Sequence, residues 1–194
     1  MRVHGDKIIR RRVGIENLGK YSDARKILAE DFENICGYCG KDSKIMHERF
    51  HMDHFVPVSI NPERKNDYYN LVWACPKCNL VKSNKWPTED KEIANNGDIG
   101  FVDPATEEYD QHVERNEYGY IHGKTLLGQS ICKNLNFHIR RTDLYWKIHN
   151  LYKMQEKLEI LFDKKRLSEQ EKDFYIETNK LLKKYVNEAF NERE

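Results

Sequence analysis

The chain has 194 residues, enough for one well-formed hydrophobic core and a second small one. Its 33 Lys+Arg residues nearly balance its 32 Asp+Glu residues, which excludes a global basic field, so contact with nucleic acid must come from local patches. No apolar run is long enough to cross a membrane, and the N-terminal sequence MRVHGDKIIRRRVG has no apolar signal core, so we expect a cytoplasmic protein without a membrane partner.

The first 35 residues combine a basic segment with a helix. Residues 1–21 carry six basic side chains against two acidic ones, which predicts an arm or a short strand. Ser22 and Asp23 offer a cap for a helix that continues to Ile35. Four apolar residues recur on one face of this helix: Ile27, Leu28, Phe32 and Ile35.

Two strands and a short helix are predicted next. Residues 50–58 read FHMDHFVPV and predict a strand, and residues 61–69 form a polar loop. Asn70 to Ala74 predict a second strand, and Pro76 to Lys85 begin a short helix.

After residue 87, a polar linker with short strands is predicted first, and helices follow it. Short alternating runs within residues 99–123 predict two or three short strands. Helical spacing dominates from Lys124, and Ser168-Glu-Gln-Glu resembles a capping box before a last helix to about Asn191. We predict an α+β fold in four segments: a basic arm and helix (1–35), a metal-binding core (36–87), a linker with short strands (88–123) and a helical region for docking DNA or a partner (124–194).

Four of the five cysteines form two Cys-x-x-Cys pairs. The pairs are Cys36/Cys39 and Cys75/Cys78, and Cys132 is left over as a small core residue. In a chain without a secretion signal, this pattern favours metal binding over disulfides. Four thiolates suit a structural Zn²⁺ ion with no open position for water. Residues 40–74 separate the pairs, more than the roughly 15–20 residues of a plain zinc ribbon, so the insert has room for other chemistry.

A second group of side chains suits a harder metal. Asp53 and Asn79 offer a carboxylate and an amide carbonyl, which favour Mg²⁺, and His54 is a proton acceptor near neutral pH. Together they indicate metal-dependent cleavage of phosphodiester bonds. Successive strand residues point to opposite faces, so either a bulge or the strand end lets Asp53 and His54 share a site, or Asp53 acts from behind.

These motifs resemble the HNH nuclease family over about residues 32–87. The resemblance rests on Asp53-His54, on Asn70 before an apolar strand, and on Cys-x-x-Cys-Asn at 75–79 followed by Lys82. It implies a ββα-metal finger. His54 would be the general base, Asp53 and Asn79 would hold the catalytic metal, and Asn70 would fix the loop that aims His54. Many members carry His where this chain has Asn79, and the harder Asn ligand favours Mg²⁺, with Mn²⁺ as a substitute.

Two groups of basic residues are candidate contacts for DNA phosphates. Lys82 and Lys85 lie on the short helix with Lys77, and Lys82 matches a family position. The alternative is a solvated helix face. Residues 124–153 carry six Lys and Arg against one acid, with Tyr145 and Trp146 between them, and a packed amphipathic helix is the alternative there.

The tail of the chain adds a looser resemblance. Phe101 to Pro104 and the segment Gly123 to Arg141 are similar to HNH proteins of phage-defence systems of the Septu and retron-associated kind, although those often carry Glu where this chain has Asp53. That resemblance implies antiviral defence beside an ATPase. We therefore expect a DNA endonuclease, with an ATPase or a second copy of the chain as the candidate partner. The alternatives are a zinc finger that binds nucleic acid without cutting, and a nuclease subunit active only with the ATPase.

Overall fold

The computed structural model describes residues 1–15, 22, 24–164 and 167–191. The chain divides into two compact units, Met1–Arg140 and Arg141–Glu194. Asp23 of the predicted helix cap and residues 16–21 of the predicted arm lie outside the described residues. In the part of the chain that is described, no helix is long and apolar enough to span a membrane.

The centre of the first unit is a two-stranded antiparallel sheet. Strand β1 (His51–His54) pairs with β2 (Leu71–Ala74), with His51 opposite Ala74 and His54 opposite Leu71. Every residue of β2 is buried, which suits its apolar sequence. Both predicted strands are confirmed, although β1 is shorter than expected. The pairing is continuous, so no bulge turns Asp53 and His54 toward one face.

Two helices flank this sheet. Helix α1 (Ala24–Asp31) ends before the predicted Ile35, because Glu33 and Asn34 adopt positive φ angles of 46° and 59°. Helix α2 (Pro76–Lys82) begins with Pro76, whose fixed φ suits the first helical position. The Cys75 Sγ atom caps α2 by accepting a hydrogen bond from the Cys78 amide at 3.4 Å.

A second small sheet completes the unit. Helix α3 (Tyr109–His112) leads into β3 (Val113–Arg115), which pairs with β4 (Ile121–Gly123). Helix α4 (Leu126–Asn134) follows, and a single 3₁₀ turn forms at Phe137–Ile139. The predicted short strands are therefore present. Gly128 lets α4 approach α3, because a Cβ atom there would lie 1.9 Å from the His112 carbonyl oxygen.

The N-terminal segment is packed against the first unit rather than extended as an arm. Residues 1–15 contain no strand, and Val3 and Ile9 are buried. The Arg11 guanidinium donates to the Leu71 carbonyl at 2.8 Å and to Asp103 at 2.7 Å. The basic Arg11 side chain of this segment is therefore engaged in contacts within the first unit.

The second unit is a helical hairpin. Helix α5 (Thr142–Asp163) and helix α6 (Glu169–Asn191) match the predicted helices closely. The predicted capping box forms: the Ser168 amide donates to Glu171 Oε2 at 2.8 Å, and the Glu171 amide donates to Ser168 Oγ at 3.3 Å.

Arg115 connects three distant parts of the first unit. Its buried guanidinium donates to the carbonyls of Val3 at 2.9 Å, Gly119 at 2.6 Å and Cys39 at 2.5 Å. A hydrogen bond from a charged donor contributes about 1.5–3 kcal/mol, and buried carbonyls without a donor are costly. Arg115 therefore fixes the N-terminal segment, the β3–β4 turn and the first cysteine pair together.

We predict that Arg115→Met lowers the free energy of unfolding by roughly 2–4 kcal/mol, because three buried carbonyls lose their donor. Urea unfolding of the zinc-loaded protein measures this. Arg49→Met is the matched control, since Arg49 is exposed and should change stability by less than about 0.5 kcal/mol. Equal unfolding midpoints for the two variants would contradict the bracing role.

Candidate metal centre and catalytic site

The two Cys-x-x-Cys pairs meet in one buried cluster. Their Sγ atoms all lie within 4.8 Å of one another, and Cys39 Sγ is 3.8 Å from Cys75 Sγ. The first pair follows α1, and the second spans the junction of β2 and α2. The predicted grouping of the four cysteines is confirmed, and Cys132 is buried outside it.

Backbone hydrogen bonds hold the first pair in a tight turn. The Gly40 amide donates to the Cys36 carbonyl at 2.8 Å, and Gly40 has φ +68°, which favours glycine. The Gly37 amide donates to the Trp73 carbonyl at 2.8 Å. This bond attaches the turn to β2, close to the second cysteine pair.

The chemistry of the cluster fits a tetrahedral Zn²⁺ ion. Burial raises the pKa of the Cys36 and Cys78 thiols well above the ordinary value, while hydrogen bonds from neighbouring thiols lower that of Cys39. A bound Zn²⁺ ion would hold all four as thiolates and would be structural, because four protein ligands leave no open position.

Arg140 adds a positive charge beside the cluster. Its Nη1 atom donates to Cys78 Sγ at 3.3 Å and to the Leu135 carbonyl at 3.2 Å. Burial opposes its charge, but the neighbouring thiolates outweigh that effect and raise its pKa. Arg140 belongs to the basic segment predicted to contact DNA, but its guanidinium donates to a cysteine of the cluster.

We predict that Cys36→Ser removes the bound zinc and unfolds the first unit, because the site contributes folding free energy directly. Metal analysis should give about one zinc per wild-type chain and much less in the variant. Cys132→Ala is the control, because Cys132 is buried outside the cluster and should keep full zinc content. A folded Cys36→Ser variant with full zinc content would contradict the assignment.

His54 lies at the end of β1 and is partly exposed. Its Nε2 atom lies 2.9 Å from the Lys65 carbonyl oxygen. A carbonyl oxygen only accepts, so Nε2 carries the hydrogen in this contact and Nδ1 carries the lone pair. This contact therefore favours the Nε2–H tautomer of a neutral His54.

Asn70 organises the loop that supplies this carbonyl. It is fully buried, and its Oδ1 atom accepts from the Val56 amide at 2.8 Å. Its Nδ2 atom donates to the Val56 carbonyl at 3.0 Å and to the Arg64 carbonyl at 3.2 Å. Asn70 thus connects the chain just after His54 to the 3₁₀ turn Pro62–Asn66, which contains Lys65.

Asp53 points to the opposite face of β1, as an unbroken strand requires. Its Oδ2 atom accepts from the Tyr38 hydroxyl at 2.6 Å and pairs with Lys82 Nζ at 3.2 Å. Burial raises the pKa of Asp53 and lowers that of Lys82, and each charge opposes the shift of the other. Both contacts use Oδ2, so among the described residues Oδ1 has no hydrogen-bond partner.

Lys82 differs from the prediction that it contacts phosphate, and also from the alternative of a solvated helix face. The side chain is fully buried, and its Nζ atom donates to the His54 carbonyl at 2.7 Å as well as pairing with Asp53. The reason is the packing of α2 on β1, which places this side of α2 against the strand. Lys82 therefore binds two consecutive residues of β1.

The other predicted residues of α2 remain accessible. Asn79 is partly exposed and lies one turn before Lys82 on the same side of α2. Lys77 and Lys85 are exposed, and Lys85 Nζ donates to the Asn134 carbonyl at 2.8 Å. Since Asn79 follows Cys78 directly, the metal cluster fixes its position.

The basic segment predicted at 124–153 is divided between the two units. In the first unit, Lys124 donates to the Asp110 carbonyl and Arg140 contacts the cluster. In the second, Arg141 and Lys147 both pair with Asp143, at 3.0 and 2.9 Å. These contacts favour the alternative of a packed helix over a continuous basic surface.

Comparison with known proteins identifies the metal-binding region. Residues 36–85 match the family model described as HNH endonuclease. The chain has no significant match among curated proteins or among solved structures. Residues 36–85 therefore form an HNH endonuclease domain, and the resemblance drawn from Asp53-His54, Asn70 and the two cysteine pairs is confirmed.

Proposed function

We propose that this chain is a DNA endonuclease that hydrolyses phosphodiester bonds, with His54 as general base and one Mg²⁺ ion held by Asp53 and Asn79. The observation that carries the proposal is the His54 contact within a domain that matches HNH endonucleases. With Nε2–H donating to the Lys65 carbonyl, a neutral His54 has its lone pair on Nδ1, and that atom would accept the proton.

His54 would activate the attacking water. As the water oxygen forms its bond to phosphorus, one of its protons passes to Nδ1, and the bond from phosphorus to the leaving sugar oxygen breaks. The resulting imidazolium keeps its Nε2–H on the Lys65 carbonyl, which accepts more strongly from a charged donor. The contact therefore supports both protonation states of the base.

Asp53 and Asn79 are the proposed metal ligands. Oδ1 of Asp53 remains available, because Tyr38 and Lys82 both contact Oδ2. The Asn79 carbonyl would add a second hard oxygen of the kind that Mg²⁺ prefers. The ion would stabilise charge on the phosphoryl and leaving oxygens.

Asn70 and Lys82 are positioning residues in this account. Asn70 holds the loop that carries the Lys65 carbonyl, and Lys82 binds the Asp53 carboxylate together with the His54 carbonyl. His54 and Asp53 are neighbours in β1, and their side chains point to opposite faces of the strand. A rigid backbone at this point would hold both the proposed base and the proposed metal ligand in position. Lys85, exposed on the segment after α2, is the proposed phosphate contact.

We predict that His54→Ala lowers the rate of Mg²⁺-dependent plasmid nicking by at least about 100-fold, because the general base is lost. His51→Ala is the matched control: His51 is an exposed histidine of the same strand and should keep nearly full activity. DNA affinity, measured in the absence of Mg²⁺, should be similar for both variants.

Three outcomes would separate this proposal from its alternatives. If His54→Ala nicks DNA as fast as wild type, the catalytic assignment is wrong. If the wild-type protein binds DNA and fails to cut it with any metal ion, but cuts once the product of a neighbouring gene is added, the chain is a subunit of a larger enzyme. Binding without cutting under both conditions would indicate a zinc-finger binding module.

We predict that Lys82→Met lowers the free energy of unfolding by about 3–5 kcal/mol, because the buried Asp53 carboxylate loses its partner. The matched control is Lys77→Met on the exposed side of α2, which should change stability by less than about 0.5 kcal/mol. A Lys82→Met variant of wild-type stability but with weaker DNA binding would instead support the phosphate contact expected from the sequence.

A further inference from the structure

The helical hairpin of the second unit presents four apolar side chains on one face. Met154 and Leu161 are seven residues apart on α5, and Phe174 and Leu181 are seven residues apart on α6, so each pair lies on one side of its helix. Met154 Sδ lies 3.9 Å from Thr178 Oγ1, and Thr178 is located between Phe174 and Leu181 on the surface of α6. The two apolar pairs therefore adjoin. We call these four residues the hairpin face.

The hairpin face is separate from the seam that joins the two helices. That seam includes the buried Leu158, the Phe162–Tyr175 ring stack at 5.7 Å and the hydrogen bond from Gln155 to Asn179 at 3.0 Å. The hairpin face adds a further apolar position to each heptad, a pattern typical of helices that pack in bundles of more than two. Met154, Leu161 and Phe174 are nevertheless 39%, 36% and 50% exposed.

Two opposite charges lie at the centre of the hairpin face. Lys157 is three residues after Met154 and four before Leu161, and Glu177 is three residues after Phe174 and four before Leu181. Each charge therefore sits between the apolar residues of its own helix. Both also lie between the level of the Met154–Thr178 contact and the level of the Phe162–Tyr175 stack, so they are at nearly the same height.

This arrangement is self-complementary under two-fold rotation. An axis parallel to the helices would place α5 of one copy on α6 of the other at unchanged height. Lys157 would then face Glu177 of the second copy, Met154 would face its Leu181, and Leu161 would face its Phe174. Every neighbouring pair of helices in the resulting bundle would be antiparallel, and the shared patch would be an isologous interface.

We propose that the hairpin face binds the same face of a second copy of this chain, forming an antiparallel four-helix bundle with two Lys157–Glu177 pairs between the copies. The occupant is a second copy because the apolar residues and the two charges match themselves under one rotation. The dimer does not depend on the proposed nuclease activity, and its tests measure mass rather than cleavage.

Light scattering or sedimentation of the full-length chain at tens of micromolar tests the proposal. Wild type should have twice the 23.2 kDa mass of one chain. Leu161→Glu and Phe174→Glu should each give monomers. Ile160→Glu and Ile176→Glu are matched controls: these residues are 55% and 51% exposed, belong to the same helices and lie outside the hairpin face, so their variants should remain dimers.

A charge exchange tests the geometry without adding a charge to an apolar site. Lys157→Glu and Glu177→Lys should each raise the dimer dissociation constant roughly tenfold or more, because like charges then face each other. The double variant should return toward the wild-type value. Circular dichroism should show equal helix content throughout.

Three results would overturn the proposal. If the wild-type chain is monomeric, the hairpin face does not bind a second copy of the chain. Loss of the dimer in Ile160→Glu or Ile176→Glu as severe as in Leu161→Glu would show that the face is not specific. A double charge variant as weak as the single ones would exclude the Lys157–Glu177 pairing.

Discussion

The four-cysteine cluster is the constraint on which the nuclease domain depends. It joins the turn after α1 to the junction of β2 and α2, so one ion would fix the sheet and the helix relative to each other. Arg115 and Arg140 reinforce this point from two directions, through the Cys39 carbonyl and the Cys78 sulfur. With so small a sheet, regular secondary structure alone contributes little rigidity.

The positions of the candidate catalytic residues depend on this cluster. Asn79 follows a cysteine ligand directly, and Lys82, one turn later, binds Asp53 and the His54 carbonyl. From the other side, Asn70 holds the loop whose Lys65 carbonyl contacts His54. Two separate networks therefore converge on the end of β1. Lys82 of α2 contacts both Asp53 and the His54 carbonyl, and the loop contacts the His54 ring, so contacts from two sides restrain the proposed base.

The sequence was most informative where function is encoded in local spacing. The cysteine pairs, the Asp53-His54 step and Asn70 predicted the HNH domain. Helical spacing after Lys124 and the capping box at Ser168 predicted that the end of the chain is helical, as α5 and α6 confirm. The sequence did not indicate that Lys82 is buried. A lysine on a helix is expected to be exposed to solvent unless the packing of that helix, here of α2 on β1, is known. The Arg115 side chain donates to the Val3 carbonyl, 112 positions away, which no local pattern reveals. The defence role inferred from residues 101–104 and 123–141 stays a prediction.

The catalytic assignment of His54 depends on the Lys65 carbonyl holding the ring with its lone pair on Nδ1. Long-range proton–nitrogen correlation NMR of the ¹⁵N-labelled, zinc-loaded protein measures this directly, with the His54 signals assigned by comparison with the spectrum of His54→Ala. The account predicts that neutral His54 carries its hydrogen on Nε2, with Nδ1 unprotonated. A spectrum in which neutral His54 is protonated on Nδ1, or exchanges evenly between both tautomers, would contradict it.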